Sequence, residues 1–93
     1  MERIILKLNE LRAALKELES WEEAGGKLRR SYKFENFAES LAFVNAVGEL
    51  AEKADHHPDI KFGWGYAEIE LTTHDAGGIT AADLSLAQQI DSL

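Results

Sequence analysis

The chain contains a single proline, Pro58, and it stands just behind a long apolar stripe. Phe37, Leu41, Val44, Val47, Ala51 and Ala54 recur at intervals of three and four residues, the period of one helix face. Asn36 is placed to cap that helix, and Glu39 follows at the spacing of a capping box. A residue that precedes proline is pushed out of the helical region, so the helix must stop before Pro58. EKAD is then its last turn and HHP its exit. A long helix with a fixed end in mid-chain leaves both flanking segments to form something else.

On both sides the hydrophobic period drops to two. Trp21 to Phe34 forms two polar–apolar stretches around Gly25-Gly26, the signature of a tight hairpin. Leu28, Arg30, Tyr32 and Phe34 share one face of its second strand. Ile60, Phe62 and Trp64 alternate, as do Ala67, Ile69 and Leu71, with Gly63 and Gly65 supplying the turn. The ends of the chain return to helical spacing. Ile4, Leu8, Leu11, Leu15 and Leu18 predict a helix to about Glu19. Its start stays open, with Asn9 as a candidate N-cap and Met1 to Leu8 partly extended ahead of it. Thr80 caps a last helix with Asp83 at its third position, Ile79 and Leu84 form a hydrophobic staple, and Leu84, Ala87 and Ile90 face inward. Trp21, Trp64, Phe34 and Phe43 are expected in the core.

The order α-β-β-α-β-β-α predicts an α+β fold, a two-layer sandwich with a four-stranded antiparallel sheet and three helices on one face. Residues 1–93 are expected to form a single domain. The uncovered sheet face and edges point to a homo-oligomer. A net charge of −7 and a pI near 4.8 argue against binding nucleic acid through its phosphates. The basic residues Lys27, Arg29, Arg30 and Lys33 are expected on a solvated sheet face. No window has the length of a membrane span, and MERIILKLNELR lacks the apolar run of a signal peptide. With no cysteine, thiolate chemistry and cysteine-based zinc sites are excluded, and a cytoplasmic location is expected.

The residues able to carry chemistry are Glu52, Asp55, His56, His57, His74, Asp75 and Asp83. Histidine titrates near neutrality, which suits it to proton transfer. His56 and His57 follow a helix C-terminus, whose dipole favours the imidazolium, and Glu52 and Asp55 push the same way. His74 stands in the loop after the fourth strand, so packing of the second helix on the sheet can bring all three rings together. Thr72 and Thr73 add hydroxyls for a polar heterocycle. Plainer roles compete: a histidine as helix cap, Asp83 as helix N-terminal carboxylate, Asp75 in an Asx-turn, Glu52 as solvated charge. Metal binding is a weaker reading, since adjacent histidines rarely aim both rings at one ion and no HExxH is present.

EKADHHPD, followed by TTHDAGGITAADLSLA, resembles the pterin-4a-carbinolamine dehydratases, and the likeness extends through Trp21, FENFAESLAFVNAV and the last helix. The resemblance implies the same α+β sandwich, assembled as a homodimer or homotetramer. It implies removal of water from the 4a-carbinolamine of a tetrahydropterin in tetrahydrobiopterin recycling, with no metal or organic cofactor. It places catalysis on His56, His57 and His74 and supporting carboxylates on Glu52, Asp55 and Asp83. Pterin contacts fall on Asp55 to Pro58 and on Thr72 to Asp75. The alternative is a non-catalytic protein-binding or assembly module on the same fold; retention of all three histidines favours the enzyme.

Overall fold

Glycine decides where each hairpin turns. A computed structural model of the chain describes residues 3–93; the part of the expected N-terminal extension that falls on Met1 and Glu2 lies outside them. Strands β1 (Glu22–Ala24) and β2 (Lys27–Lys33) are joined by Gly25 and Gly26, both at positive φ, +60° and +80°. Two left-handed residues in succession give the turn whose twist matches the strands it joins. Strands β3 (Asp59–Gly63) and β4 (Tyr66–Leu71) meet at Trp64 and Gly65, with Gly65 at φ +80°. All pairings are antiparallel, in the order β1-β2-β4-β3.

The register sets which face is apolar. Leu28 lies opposite Leu71, Arg30 opposite Ile69 and Tyr32 opposite Ala67, and residues directly opposite share a face. Leu28, Ala67, Ile69 and Leu71 are all buried there. The other face carries Arg29 and Lys27, which pair with Glu70 at 2.9 and 3.6 Å. Arg30 departs from the solvated basic face expected for it, because its register puts it on the inner side.

Helices α1 (Leu8–Glu17), α2 (Phe37–Ala54) and α3 (Ala81–Asp91) cover the inner face. Val47 and Ala51 of α2 and Leu86, Ala87 and Ile90 of α3 meet the sheet in one core with Leu18 and Trp21. Asn36 caps α2 as expected, its Oδ1 accepting the Glu39 N–H at 2.9 Å. The Glu39 carboxylate accepts the Glu35 N–H, at 2.9 Å, instead of closing a box on Asn36.

Three expectations about the core are corrected. Residues 3–7 are extended ahead of α1, in line with the expected extension but in place of the helical stripe at Ile4, as Ile5 bridges to Thr80 and the Leu6 N–H donates to the Ile79 carbonyl at 2.9 Å. That pairing starts the helix at Leu8 with Lys7 as its cap, so Asn9 lies inside it. Ile4 and Leu8 are consequently exposed, leaving Leu11, Leu15 and Leu18 to reach the core. On α2 the buried row is Ser40, Val47 and Ala51. Phe37, Leu41 and Ala54 lie off it, and Phe37 packs instead on Phe62, ring centroids 5.7 Å apart. Trp64 sits at the tip of its turn, beyond the sheet, and is 71% exposed.

The end of α3 is fastened by one carboxylate. Asp91 accepts from the Trp21 indole N–H at 3.0 Å, from Arg30 Nη1 at 2.6 Å and from the Tyr32 hydroxyl at 2.7 Å. The Arg30 guanidinium also lies over the Tyr32 ring, 4.3 Å from its centroid. Replacing Asp91 with alanine strands three donors, and a loss of about 2–3 kcal/mol is expected in urea unfolding. Burial and the adjacent Asp91 carboxylate push the Tyr32 phenol above its ordinary range. Because the folded state holds that proton more tightly, the contribution is complete below the unfolded pKa of about 10 and fades as pH rises above it. Tyr32→Phe is therefore expected to flatten the decline in stability measured above pH 10.

Candidate active site

Helix α2 ends at a residue in the left-handed conformation, Asp55, with φ 48° and ψ 44°. The Asp55 and His56 N–H groups reach back to the carbonyls of Glu52 and Ala51, at 3.3 and 3.1 Å. Closure of this kind satisfies carbonyls that the helix leaves unpaired and turns the chain aside. The stop therefore falls at Asp55, ahead of the point fixed by Pro58 alone, and aspartate is among the few residues that tolerate this conformation. Pro58 follows as the lead into β3. Past the turn, successive side chains go opposite ways: His56 is 5% exposed, whereas His57 stands in solvent.

His56 is held from within. Its Nε2 lies 2.5 Å from Asp83 Oδ1, and Asp83 is wholly buried. The other oxygen, Oδ2, accepts the Thr80 N–H at 2.8 Å and the Thr73 hydroxyl at 2.9 Å. Thr73 Oγ1 also lies 2.8 Å from Thr80 Oγ1. A hydroxyl has one hydrogen, and that of Thr73 is given to Asp83, so Thr80 is the donor in this pair. Thr80 Oγ1 in turn accepts the Ala82 N–H at 3.2 Å, capping α3. Each oxygen of the carboxylate is thus occupied, as a buried charge requires. With Asp83 accepting from Nε2–H, Nδ1 is the His56 nitrogen left for other partners.

The remaining groups surround a polar cleft of about 190 Å³, lined by Arg3, Asp55, His56, His57, Thr72, His74 and Asp75. His57 Nε2 is paired with the Glu52 carboxylate on the exposed end of α2. The Thr72 hydroxyl donates to the Gly26 carbonyl at 3.0 Å, tying the loop to the first hairpin. His74 and Asp75 ride on a tight loop whose ends pair, Thr73 with Gly78. The Thr73 carbonyl accepts from Ala76 and Gly77, and Gly77 at φ +80° makes the reversal possible.

The structure thus brings all three histidines to one cleft, with Asp55, Thr72 and Asp75. Glu52 acts through His57, and Asp83 lies behind His56. Thr73 does not line the cleft; it is 1% exposed and its hydroxyl is taken by Asp83. Pro58 does not line it either. Arg3 is a cleft residue that no sequence motif marks, since it is carried there by the Ile5–Thr80 bridge and the Leu6–Ile79 hydrogen bond. Thr80 was legible as a helix cap but not as a support for Asp83. A larger hollow of about 710 Å³ covers the outer sheet face. It holds no histidine, and its Arg29 and Glu70 already satisfy one another, so chemistry favours the smaller cleft. Among the described residues, no group of three or more His, Cys, Asp or Glu side chains is arranged to hold a metal ion.

The class defined by these features is an α+β sandwich with a buried histidine–aspartate pair at the edge of a polar cleft. The family model described as pterin 4 alpha carbinolamine dehydratase matches residues 5–93, and the chain belongs to that family. A relative from Rubrobacter xylanophilus, named "Putative pterin-4-alpha-carbinolamine dehydratase", is 51% identical over 95% of this chain and 83% of its own. The crystal structure of a transcriptional coactivator/pterin dehydratase from Brucella melitensis is 29% identical. It aligns over 95% of this chain and 96% of its own, with a TM-score of 0.91. A pterin dehydratase-like protein identified as a RuBisCO assembly factor in the alpha-carboxysome is more distant. It is 26% identical over 77% of this chain and 83% of its own, with a TM-score of 0.64.

Asp83→Asn tests the network behind His56. An amide keeps the volume but turns one acceptor into a donor, which must either face the donors from Thr73 and Thr80 or force His56 into the Nδ1–H tautomer, and both lose the bond to a charged acceptor. The mismatch is expected to cost about 1–3 kcal/mol in urea unfolding.

Proposed function

We propose that this protein dehydrates a 4a-hydroxytetrahydropterin to the quinonoid dihydropterin by histidine acid–base catalysis, within tetrahydrobiopterin recycling. The observation that carries the reading is the buried His56–Asp83 pair at the edge of a cleft that His57 and His74 also line. Family membership supplies the substrate class.

The reaction asks for two proton transfers. The C4a–O bond breaks with its electron pair going to oxygen, and an acid must protonate that oxygen for it to leave as water. A ring N–H gives its proton to a base, and its electron pair forms the new C=N bond. No electrons enter or leave overall. In this mechanism His56 and His74 share the acid and base roles on opposite sides of the heterocycle. Asp83 fixes the His56 ring and provides a counter-charge when that ring carries a second proton. His57, steadied by Glu52, positions the substrate, and Thr72, Asp75 and the Asp55 turn frame it.

The competing reading is a protein-binding or assembly module, and the carboxysomal relative is identified as an assembly factor. Against it stands the cost of the site. A buried carboxylate with its polar partner is often no more stabilising than apolar side chains of the same volume, so a module that performs no chemistry has little use for one. The experiment is a stopped assay of 4a-carbinolamine dehydration with the double variant His56→Ala, His74→Ala. Turnover is expected to fall to the spontaneous rate while circular dichroism stays native. Near-normal turnover by a folded double variant would overturn the assignment.

A further inference from the structure

The space around His56 does not end with the histidine cleft. A second cavity, of about 250 Å³, shares both His56 and Arg3 with it. Its other walls are Ala54 at the end of α2 and Ala82, Ser85, Leu86 and Gln89 of α3. Those four α3 residues stand at i, i+3, i+4 and i+7, one face of a helix. Small side chains at Ala54, Ala82 and Ser85 leave the room open.

Polar groups are set into this otherwise apolar wall. Gln89 Nε2 donates to Ser85 Oγ at 3.2 Å, which leaves the serine its own hydrogen to give. Arg3 Nη2 donates to the Asp55 carbonyl at 2.7 Å. A guanidinium has five N–H donors, and this bond uses one. The arm that carries Arg3 is held by the Ile5–Thr80 bridge and the Leu6–Ile79 hydrogen bond. Arg3 is thereby stationed where the two cavities adjoin.

Building on the dehydratase reading, we propose that this second cavity is a subsite for the substituent on C6 of the reduced pterin. In a pterin C6 is bonded to N5, and N5 to C4a, so C6, which carries the substituent, lies two bonds from the reacting carbon. A substrate with C4a beside His56 therefore starts its C6 chain close to His56 as well, the residue that walls both cavities. The walls select a short hydroxylated chain: Ala54, Ala82 and Leu86 receive its hydrocarbon, while Ser85, Gln89 and Arg3 bond its hydroxyls. Arg3 is then a specificity-determining residue, and its bond to Asp55 fixes it beside the turn that presents His56.

Two 4a-carbinolamines separate this subsite from the chemistry, one with a 6-methyl group and one with a 6-dihydroxypropyl chain. Values of kcat and KM for each are compared in the unmodified protein, in Ser85→Leu, which fills the cavity, and in Arg3→Ala and Arg3→Lys. The ratio of kcat/KM for the dihydroxypropyl over the methyl substrate is expected to fall roughly tenfold in Ser85→Leu, mainly through KM. Arg3→Ala is expected to lower it by more than about threefold, with part of the loss restored by Arg3→Lys. A merely structural role would depress both substrates together. A ratio that changes by less than about threefold in Ser85→Leu overturns the subsite, and if that variant does not fold the same threshold is applied to Arg3→Ala. If the unmodified protein accelerates neither carbinolamine, the dehydratase reading fails and the subsite with it. Turnover of both with an unmoved ratio removes the subsite alone.

Discussion

The Asp83 carboxylate is the junction on which the site depends. Its two oxygens accept from an imidazole on the exit of α2, a hydroxyl on the loop after β4 and a main-chain N–H at the start of α3. Three separate pieces of chain are thereby fixed to one buried charge. A wholly buried carboxylate is unfavourable unless every oxygen finds a donor, and the same need makes the arrangement specific. Displacing any one of the three segments leaves the charge short of a partner.

Much of this was legible in advance, for identifiable reasons. The hairpins followed from glycine pairs and alternation, and the caps of α2 and α3 from Asn36 and Thr80. These are local effects, decided within a few residues. The misplacements arose where tertiary contacts overrule local pattern. Ile4 and Leu8 fit the helical stripe of α1, but pairing of Ile5 with Thr80 holds the preceding residues extended. Phe37 and Leu41 fit the stripe of α2, but the sheet lies under Ser40, Val47 and Ala51. Trp64 had the alternation of a strand and the position of a turn.

The candidate site was legible for a different reason. His56, His57 and His74 stand out as residue types, and their spacing matched a known family pattern. What the sequence did not show was how each is supported. Asp83 and Glu52 were both expected as orienting carboxylates, yet one is buried behind His56 and the other is paired with His57 in solvent. Arg3 had no motif to announce it. Its place depends on an arm of chain meeting a cap seventy-odd residues later, which no local signal encodes.

Asp55 gives the active-site geometry an unusual dependence on handedness. It is the one non-glycine residue at positive φ among those described, and on its two dihedrals rests the direction in which His56 leaves α2. Were Asp55 right-handed, the helix would continue and carry His56 about 100° further round its axis, away from its present bearing on Asp83. The left-handed form of an ordinary residue lies roughly 1–2 kcal/mol above the right-handed one; the Asp55 and His56 N–H bonds back to α2 and the Arg3–Asp55 and His56–Asp83 bonds all act against that difference. The conformation of one residue thus sets where the imidazole of the next one stands.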